Sequence, residues 1–331
     1  MIVKSHIDAT SEVAVRQETV RQVLSLNRVL FGFGAVLVLI DTIWVLAGHF
    51  AIDAHNYLLL GCLILPLTAG AAFYSRSRID PALSAMLAGA AFLLAFSASC
   101  SLLSYLLVTV AGSRIDNLLA SADMSIGFYW PSVMTFAANH PLLTSLLGMA
   151  YLSVMFQIAM LLLLLGWMQR CADLYGLCLS IAIGGIITLS IWAVHPSFGA
   201  FSVFDLPPDT AAKLGLALDG NYGRDLVAML RHGPGFISPS EMRGIVGFPS
   251  YHTVQALMLI WYSRTLPVLR WITLALNVAV LIATPIHGGH HLIDLFGGFA
   301  VAAASVAVTR WLLRSTAQRA VKIEQLIPLA A

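Results

Sequence analysis

Long apolar runs dominate the pattern of hydrophobic and polar positions along the chain, and polar residues are concentrated between them. Most runs approach the roughly 20 residues that a helix needs to cross a bilayer, and they lack the strict alternation of a membrane β-strand. The pattern therefore predicts an all-α polytopic membrane protein. We expect about eight spans, at about 28–49, 55–74, 82–111, 141–167, 175–195, 251–263, 267–286 and 292–313. The sixth span is the shortest, so flanking residues must extend it if it is to cross the bilayer.

The polar segments predict how the chain is organised between these spans. Residues 1–27 are too charged for the apolar region of a signal peptide, so they form an uncleaved N-terminal arm, and 314–331 form a tail. Two connections are long, 112–140 and 196–249. Apolar residues at helical spacing near 113–127 predict an interfacial helix that could roof a site. Asp116 and Asp123 would form its polar face.

Composition supports a membrane protein and excludes some partners. Hydrophobic residues make up 59% of the chain and charged residues only 10%, against about 25% charged in a soluble domain. The net charge is +2, and no basic run with interleaved aromatic residues is present, so a nucleic-acid partner is not expected. The four cysteines lie in or beside apolar runs without zinc or redox spacing, which indicates packing roles.

The distribution of positive charge predicts the orientation in the membrane. Cytoplasmic loops carry the excess of Lys and Arg. With both termini cytoplasmic, thirteen of the eighteen Lys and Arg residues fall on the cytoplasmic side. Under the same topology every histidine except His6 lies on or near the outer face, so chemistry is expected there. We expect an integral protein of a bacterial inner membrane with a periplasmic site.

Two histidine-containing segments fall on that outer face. In the first, Gly247-Phe-Pro-Ser-Tyr-His-Thr253, Ser250 is expected to cap a helix and His252 to lie in its first turn. A helix N-terminus offers unpaired N–H groups and a positive dipole, which suit a phosphate oxygen. The sequence therefore predicts an anion site beside His252.

The second segment, Thr284-Pro-Ile-His-Gly-Gly-His-His-Leu-Ile-Asp294, joins the last two spans. His290 and Asp294 are four residues apart, so they share one side of a helix that begins near the glycines and can form a hydrogen bond. A carboxylate on one ring nitrogen fixes the tautomer and leaves the other nitrogen as a nucleophile. Both segments end on the same membrane surface, so His252 and His290 can meet.

These two segments resemble the second and third signature motifs of the type 2 phosphatidic acid phosphatase superfamily. Their Phe-Pro-Ser-x-His and Gly-Gly-His-His-x-x-Asp forms look most like the branch with inositol phosphorylceramide synthases and sphingomyelin synthases. The resemblance covers about 82–313 and implies a six-helix catalytic core, to which the two helices in 28–81 would be an addition. Two departures stand out: Thr284 occupies the position of the third motif's usual arginine, and the first motif's lysine and Arg-Pro have no counterpart.

The resemblance implies a lipid phosphotransferase or phosphatase that acts on a lipid phosphate or phosphodiester, with an alcohol or water as the acceptor. His290 would form a phosphohistidine and His252 would protonate the departing oxygen. No cofactor or metal is required. The expected substrate-binding residues are Ser250, His287, His291, Arg231 and Arg243, with Arg231 preferred over Arg243 because it precedes His232-Gly-Pro234 in the loop that leads into the second motif.

Two alternatives remain open at the level of sequence. His287, His290, His291 and Asp294 have ligand types that could make a metal-dependent membrane hydrolase, although no His-Glu-x-x-His helix is present. A proton-coupled transporter could use Asp41, an intramembrane carboxylate, together with the outer histidines. The absence of internal repeats weighs against the transporter, and we expect Asp41 to pair with a polar neighbour. The lipid, the acceptor and the oligomeric state are not specified by the sequence.

Overall fold

The computed structural model describes residues 2–214 and 222–326. Within those ranges the chain is helical with no β-strand, apart from one isolated bridge between Ile52 and Ile237. The helices are α1 Ile2–Gly48, α2 Ala54–Arg76, α3 Pro81–Leu107, α4 Asp116–Ser125, α5 Trp130–Asn139, α6 Pro141–Leu152, α7 Val154–Trp167, α8 Cys171–Val194, α9 Pro208–Leu214, α10 Tyr222–His232, α11 Tyr251–Ser263, α12 Leu269–His287 and α13 Leu292–Leu326.

Helix starts follow the local sequence signals. The Asp80 carboxylate accepts the Leu83 N–H at 3.0 Å and Pro81 occupies the first turn of α3, the combination that favours a helix N-terminus. The Asp53 carboxylate accepts the Asn56 N–H in the same way at the start of α2. The arm that we expected before the first span is a continuous part of α1, which begins at Ile2.

The number of helices that could span a membrane differs from the sequence prediction. In the described ranges, six helical segments are long and apolar enough: Val23–Gly48, Ala54–Arg76, Pro81–Val110, Cys171–Val194, Leu269–His287 and Leu292–Ser315. Helices α6 and α7 add a seventh if they form one span bent by 46°. The sixth predicted span corresponds to α11, whose 13 residues extend only about 20 Å, short of a hydrocarbon core of about 30 Å.

The core is built around α8. This helix packs against α3, α11 and α13, while α11 packs against α12 and α13. Tyr175 on α8 is fully buried, and its hydroxyl donates a hydrogen bond of 2.6 Å to Asn27 on α1. Pairing of this kind satisfies polar groups that would otherwise be costly inside an apolar bundle. Helices α1 and α2 pack against α3, and the second long connection enters the bundle at the start of α11.

Candidate active site

The start of α11 carries the first histidine and is bound to the start of α13. Ser250 is the N-cap of α11, and its side chain accepts a hydrogen bond from the Thr253 N–H, as the sequence predicts. The Ser250 N–H donates to the main-chain carbonyl of Asp294 at 3.0 Å. A Cβ at Gly298 would lie 2.6 Å from Thr253 Cβ, so the two helices can approach this closely only with glycine there. His252 therefore lies beside the second histidine segment.

His290 and Asp294 form the hydrogen bond that their spacing predicts. His290 Nδ1 lies 3.0 Å from Asp294 Oδ2, and the same oxygen accepts the His291 N–H at 2.9 Å. Both side chains are buried, with Asp294 fully so. An ionised carboxylate accepts but cannot donate, so the contact places the imidazole proton on Nδ1. The lone pair of Nε2 is then available for chemistry.

Tyr151, the penultimate residue of α6, connects the two histidines. Its hydroxyl lies 3.2 Å from His252 Nδ1, and the two rings stack with centroids 4.2 Å apart. A side chain at Gly288 would come within 2.7 Å of both the Tyr151 hydroxyl and the His290 ring. Burial, and to a smaller extent the neighbouring His290, lower the pKa of His252 to about 3. The two motifs therefore converge on one site, with Tyr151 at its side.

The backbone around Gly289 explains why the motif contains glycines. Gly289 has φ of +62°, a conformation that L side chains rarely adopt. Its carbonyl accepts the Ala200 N–H at 2.6 Å, and a Cβ on Gly199 would lie 2.4 Å from that same oxygen. The connection after α8 is thus held directly against the segment that carries His290.

Asp123 and Asp116 organise the site instead of facing solvent, so the prediction that they form the polar face of an interfacial helix is wrong. Each is 2% exposed. Asp123 on α4 accepts the N–H groups of Leu292 and Ile293 at 2.8 and 3.0 Å, and so caps α13 from another helix. A carboxylate that must fill this role cannot also be solvated.

Asp116 binds the connection that follows α8. One of its oxygens accepts hydrogen bonds from the Ser197 hydroxyl and from the N–H groups of Phe198 and Gly199, at 2.8, 2.8 and 3.0 Å. The other oxygen pairs with Arg114, whose Nη2 lies 2.7 Å away. This buried carboxylate fixes the loop that in turn contacts Gly289. Arg114 is a cation in this region that our sequence interpretation did not select.

The flanking histidines contact groups other than His252 and His290. His287 Nε2 is 2.9 Å from the Thr144 carbonyl of α6 and therefore donates to it. His291 is fully buried, with Nδ1 3.5 Å from Asp123 Oδ2, and neither of its ring nitrogens has a hydrogen-bond partner among the described residues. Both positions favour structural roles over the substrate contacts that we expected.

A cavity of about 270 Å³ reaches His252. Its walls come from α3, α7, α8, α11 and the segment 242–246, and they are mainly apolar. Arg243 lines the same cavity. Its side-chain Nη1 lies 3.6 Å from Asp225 Oδ2, and its main-chain N–H donates a hydrogen bond to the Tyr105 hydroxyl at 3.0 Å. Arg231 is exposed at the end of α10 and does not line this cavity. The geometry therefore reverses our order of preference between the two arginines.

The geometry also bears on the metal alternative. Within the ranges described, no group of three or more His, Cys, Asp or Glu side chains is arranged to hold a metal ion. The four residues proposed as ligands diverge, since His287 bonds to Thr144 and His291 faces Asp123. Only His290 and Asp294 remain together.

The site thus combines a buried His–Asp pair with a second histidine inside a bundle of apolar helices. The family model described as PAP2 superfamily matches residues 117–308, more than half of the chain. The chain belongs to this superfamily, whose members are generally phosphatases. No curated protein and no solved structure matches the chain. Membership and the apolar helices indicate an integral membrane protein with a phosphatase or phosphotransferase type of function acting on lipid phosphates.

Proposed function

We propose that the protein transfers a phosphoryl or phosphoryl-head-group unit from a lipid phosphate or phosphodiester to an alcohol or to water, through a phosphohistidine. The observation that carries the proposal is the buried His290–Asp294 hydrogen bond of 3.0 Å beside His252. A buried carboxylate that orients an imidazole is the arrangement that makes a neutral histidine nucleophilic. Membership in the superfamily supports the same chemistry.

In the first step, His290 Nε2 attacks phosphorus and the bond between phosphorus and the departing oxygen breaks. Burial and the neighbouring His290 lower the pKa of His252 in the free protein, so His252 carries its proton only with the anionic phosphate bound beside it. It gives this proton to the departing oxygen, and Asp294 stabilises the charge that develops on the His290 ring. In the second step, water or an alcohol gives a proton to the now neutral His252, and its oxygen displaces His290 from phosphorus. The enzyme is returned to its starting protonation state.

The equatorial oxygens of phosphorus need positive groups nearby. The N–H groups at the start of α11 and the Ser250 hydroxyl lie beside His252, and Arg243 lines the cavity that His252 also lines. We propose Arg243 as the principal substrate cation, with Arg231 in the outer connection as a secondary candidate. Transfer to an alcohol is favoured over hydrolysis by the motif form, which resembles inositol phosphorylceramide and sphingomyelin synthases, and by Thr284 where an arginine is usual.

We further propose that both termini are cytoplasmic and that the site faces the periplasm of a bacterial inner membrane. The placement of Lys and Arg supports this orientation.

The test is mass spectrometry of a bacterial lipid extract incubated with purified wild-type protein and with single variants. Wild type is expected to consume a phospholipid and to release phosphate or a new head-group lipid. His290→Ala and His252→Ala are each expected to reduce turnover by at least about a hundredfold. His55→Ala, which changes an exposed histidine at the start of α2, is the matched control and should retain activity.

Covalent labelling separates the two roles. With a phosphorus-labelled lipid, His252→Ala should still accumulate acid-labile, base-stable label on His290, whereas His290→Ala should accumulate none. Full turnover by His290→Ala would refute the proposal. Turnover that is abolished by chelator but is insensitive to His252→Ala would favour the metal-dependent alternative.

A further inference from the structure

A second cavity, of about 380 Å³, lies between α1, α2 and α3. Every residue that lines it precedes residue 117, so it lies outside the segment that the family model matches. Its walls are mostly Val, Leu, Ile and Ala side chains. The polar lining residues are Asp41, Thr42, Tyr57 and Ser99. This cavity is therefore an apolar chamber with one polar patch.

Two polar atoms in this patch have no hydrogen-bond partner in the described chain, Asp41 Oδ1 and the Tyr57 hydroxyl. Asp41 is 4% exposed, and its other oxygen accepts a hydrogen bond from Ser99, which is the polar neighbour that the sequence led us to expect. A buried polar atom without a partner is costly, and an intramembrane carboxylate is by default a candidate functional group. Both residues line the same cavity, so a small displacement of the two side chains would let one occupant satisfy both atoms.

The chemistry of the two atoms selects the occupant. A carboxylate oxygen accepts a hydrogen bond, whereas a phenol both donates and accepts. A hydroxyl group does both as well, so it can donate to Asp41 and accept from Tyr57, and the apolar walls require that the rest of the molecule be hydrocarbon. We propose that this chamber binds a lipid alcohol, with its hydroxyl between Asp41 Oδ1 and the Tyr57 hydroxyl.

Other occupants match the two polar atoms and the apolar walls of the chamber less well. An ammonium group only donates, so it could not accept the Tyr57 proton. A bare cation would lose its hydration in an apolar chamber with a single carboxylate, and no cluster of three or more metal-ligating side chains occurs in the described part of the chain. Water alone would leave most of the apolar volume unfilled.

The chamber is separate from the catalytic cavity but shares a wall with it. Ser99 and Leu102 of α3 face the chamber, whereas Cys100 and Ser101 of the same helix face the cavity that contains His252. A bound lipid alcohol would therefore lie beside the catalytic cavity and outside it.

The α1–α2 connection lies next to this chamber and is hydrogen-bonded to the long connection that precedes α11. The Asp53 N–H donates to the Ile237 carbonyl, and the Ile237 N–H donates to the Ala51 carbonyl, both at 2.9 Å. The Ser238 hydroxyl donates to Asp53 Oδ2 at 2.7 Å, and this bond lowers the pKa of the Asp53 carboxyl. The connection beside the chamber is thus hydrogen-bonded to residues 237 and 238.

The test is photolabelling in nanodiscs with a diacylglycerol that carries a diazirine on one acyl chain, compared with the same probe acetylated at its hydroxyl. All proteins carry His290→Ala, so that the probe is not consumed by turnover and the result does not depend on the catalytic proposal. Labelled peptides from residues 38–64 are quantified, since α1 and α2 line this chamber and not the catalytic cavity.

Two variants address the chamber, each with a matched control. A Cβ at Gly61 meets nothing within 4 Å and Gly61 lines the chamber, so we expect Gly61→Leu to place its side chain in the chamber. Gly32 on α1 is equally open but lies outside the chamber, and Gly32→Leu is its control. Tyr57→Phe removes only the hydroxyl, and Tyr74→Phe at the far end of α2 is its control.

We expect the free-hydroxyl probe to label residues 38–64 and the acetylated probe to label them about tenfold less. Gly61→Leu should reduce labelling about tenfold, and Tyr57→Phe about two- to tenfold, the range set by one neutral hydrogen bond. Both controls should label like wild type. Equal labelling by the two probes, or labelling unaffected by both Gly61→Leu and Tyr57→Phe, would overturn the proposal. If Gly61→Leu does not fold, Tyr57→Phe alone decides.

Discussion

At the residue scale, each of the two candidate histidines is positioned by a hydrogen bond with another side chain. His290 is oriented by Asp294 at 3.0 Å, and His252 by Tyr151 at 3.2 Å. Each imidazole therefore has one nitrogen engaged and one left for the substrate. In the proposed mechanism this division of the ring nitrogens assigns nucleophile and acid to separate histidines without a further catalytic group.

The role of Tyr151 can be tested directly. Tyr151→Phe keeps the ring that stacks on His252 at 4.2 Å and removes the hydroxyl that contacts Nδ1. We expect kcat to fall about tenfold, the effect of one hydrogen bond, with little change in KM or in thermal stability. Steady-state turnover of the lipid substrate measures this change.

A double-mutant cycle provides the control for Tyr151. Because Tyr151 acts through His252, Tyr151→Phe should cause no further loss in a His252→Ala background. Additive losses in the double variant would mean that Tyr151 contributes independently of His252 and would contradict the assignment.

At the element scale, the start of α13 is held by a carboxylate from α4. Asp123 accepts the Leu292 and Ile293 N–H groups, which no residue within α13 can accept at its own N-terminus. His290 lies two residues before Leu292, so its position depends on the cap. Short α4 is therefore a positioning element for the catalytic segment.

We expect Asp123→Ala to lower the free energy of unfolding by about 1–3 kcal/mol, because two buried N–H groups lose a charged acceptor. Turnover should fall as well, since His290 moves with the first turn of α13. Thermal denaturation and lipid turnover measure the two effects. Asp205→Ala removes an exposed carboxylate in the connection after α8 and should change neither. An Asp123→Ala protein with wild-type activity would show that the cap does not position His290.

The local parts of this architecture were predictable, and the long-range parts were not. The Ser250 cap follows from spacing within the first turn of α11. The four-residue spacing also predicted the His290–Asp294 contact, although α13 begins at Leu292 and His290 lies just before it. Asp123 caps a helix 169 residues further along the chain, and Tyr151 reaches a histidine 101 residues away. Such contacts depend on how α4 and α6 pack, which no local pattern encodes.

The misassignment of Asp116 and Asp123 has the same origin. Alternating apolar and polar positions on a short helix normally indicate a solvated face. Here the carboxylates are buried because backbone N–H groups of other loops supply their hydrogen bonds. The sequence did contain one sign of these buried carboxylates, the Gly, Ser and Asp residues of the two long connections. Such loops have backbone N–H groups that need acceptors, and an Asp side chain can supply one.

At the scale of the whole molecule, orientation is the property that most needs a direct test. Phe236 is 62% exposed in the connection before α11, and Ser77 is exposed between α2 and α3, at the opposite end of α2 from Asp53. In a Cys62→Ala background, Phe236→Cys should react with a membrane-impermeant maleimide in intact cells. Ser77→Cys should react only after permeabilisation. The reverse pattern would place the site on the cytoplasmic side.

Because α3 forms one wall of the catalytic cavity, a truncated protein needs this helix to keep the cavity closed. The segment that matches the superfamily begins at residue 117, after α3 and one residue beyond Asp116. A minimal version cut at that boundary would lose Phe96 and Ser104 from the wall and the acceptor that holds Ser197. Without these residues the cavity that reaches His252 would be open to the surrounding lipid. We therefore expect a functional truncated protein to begin at or before Pro81.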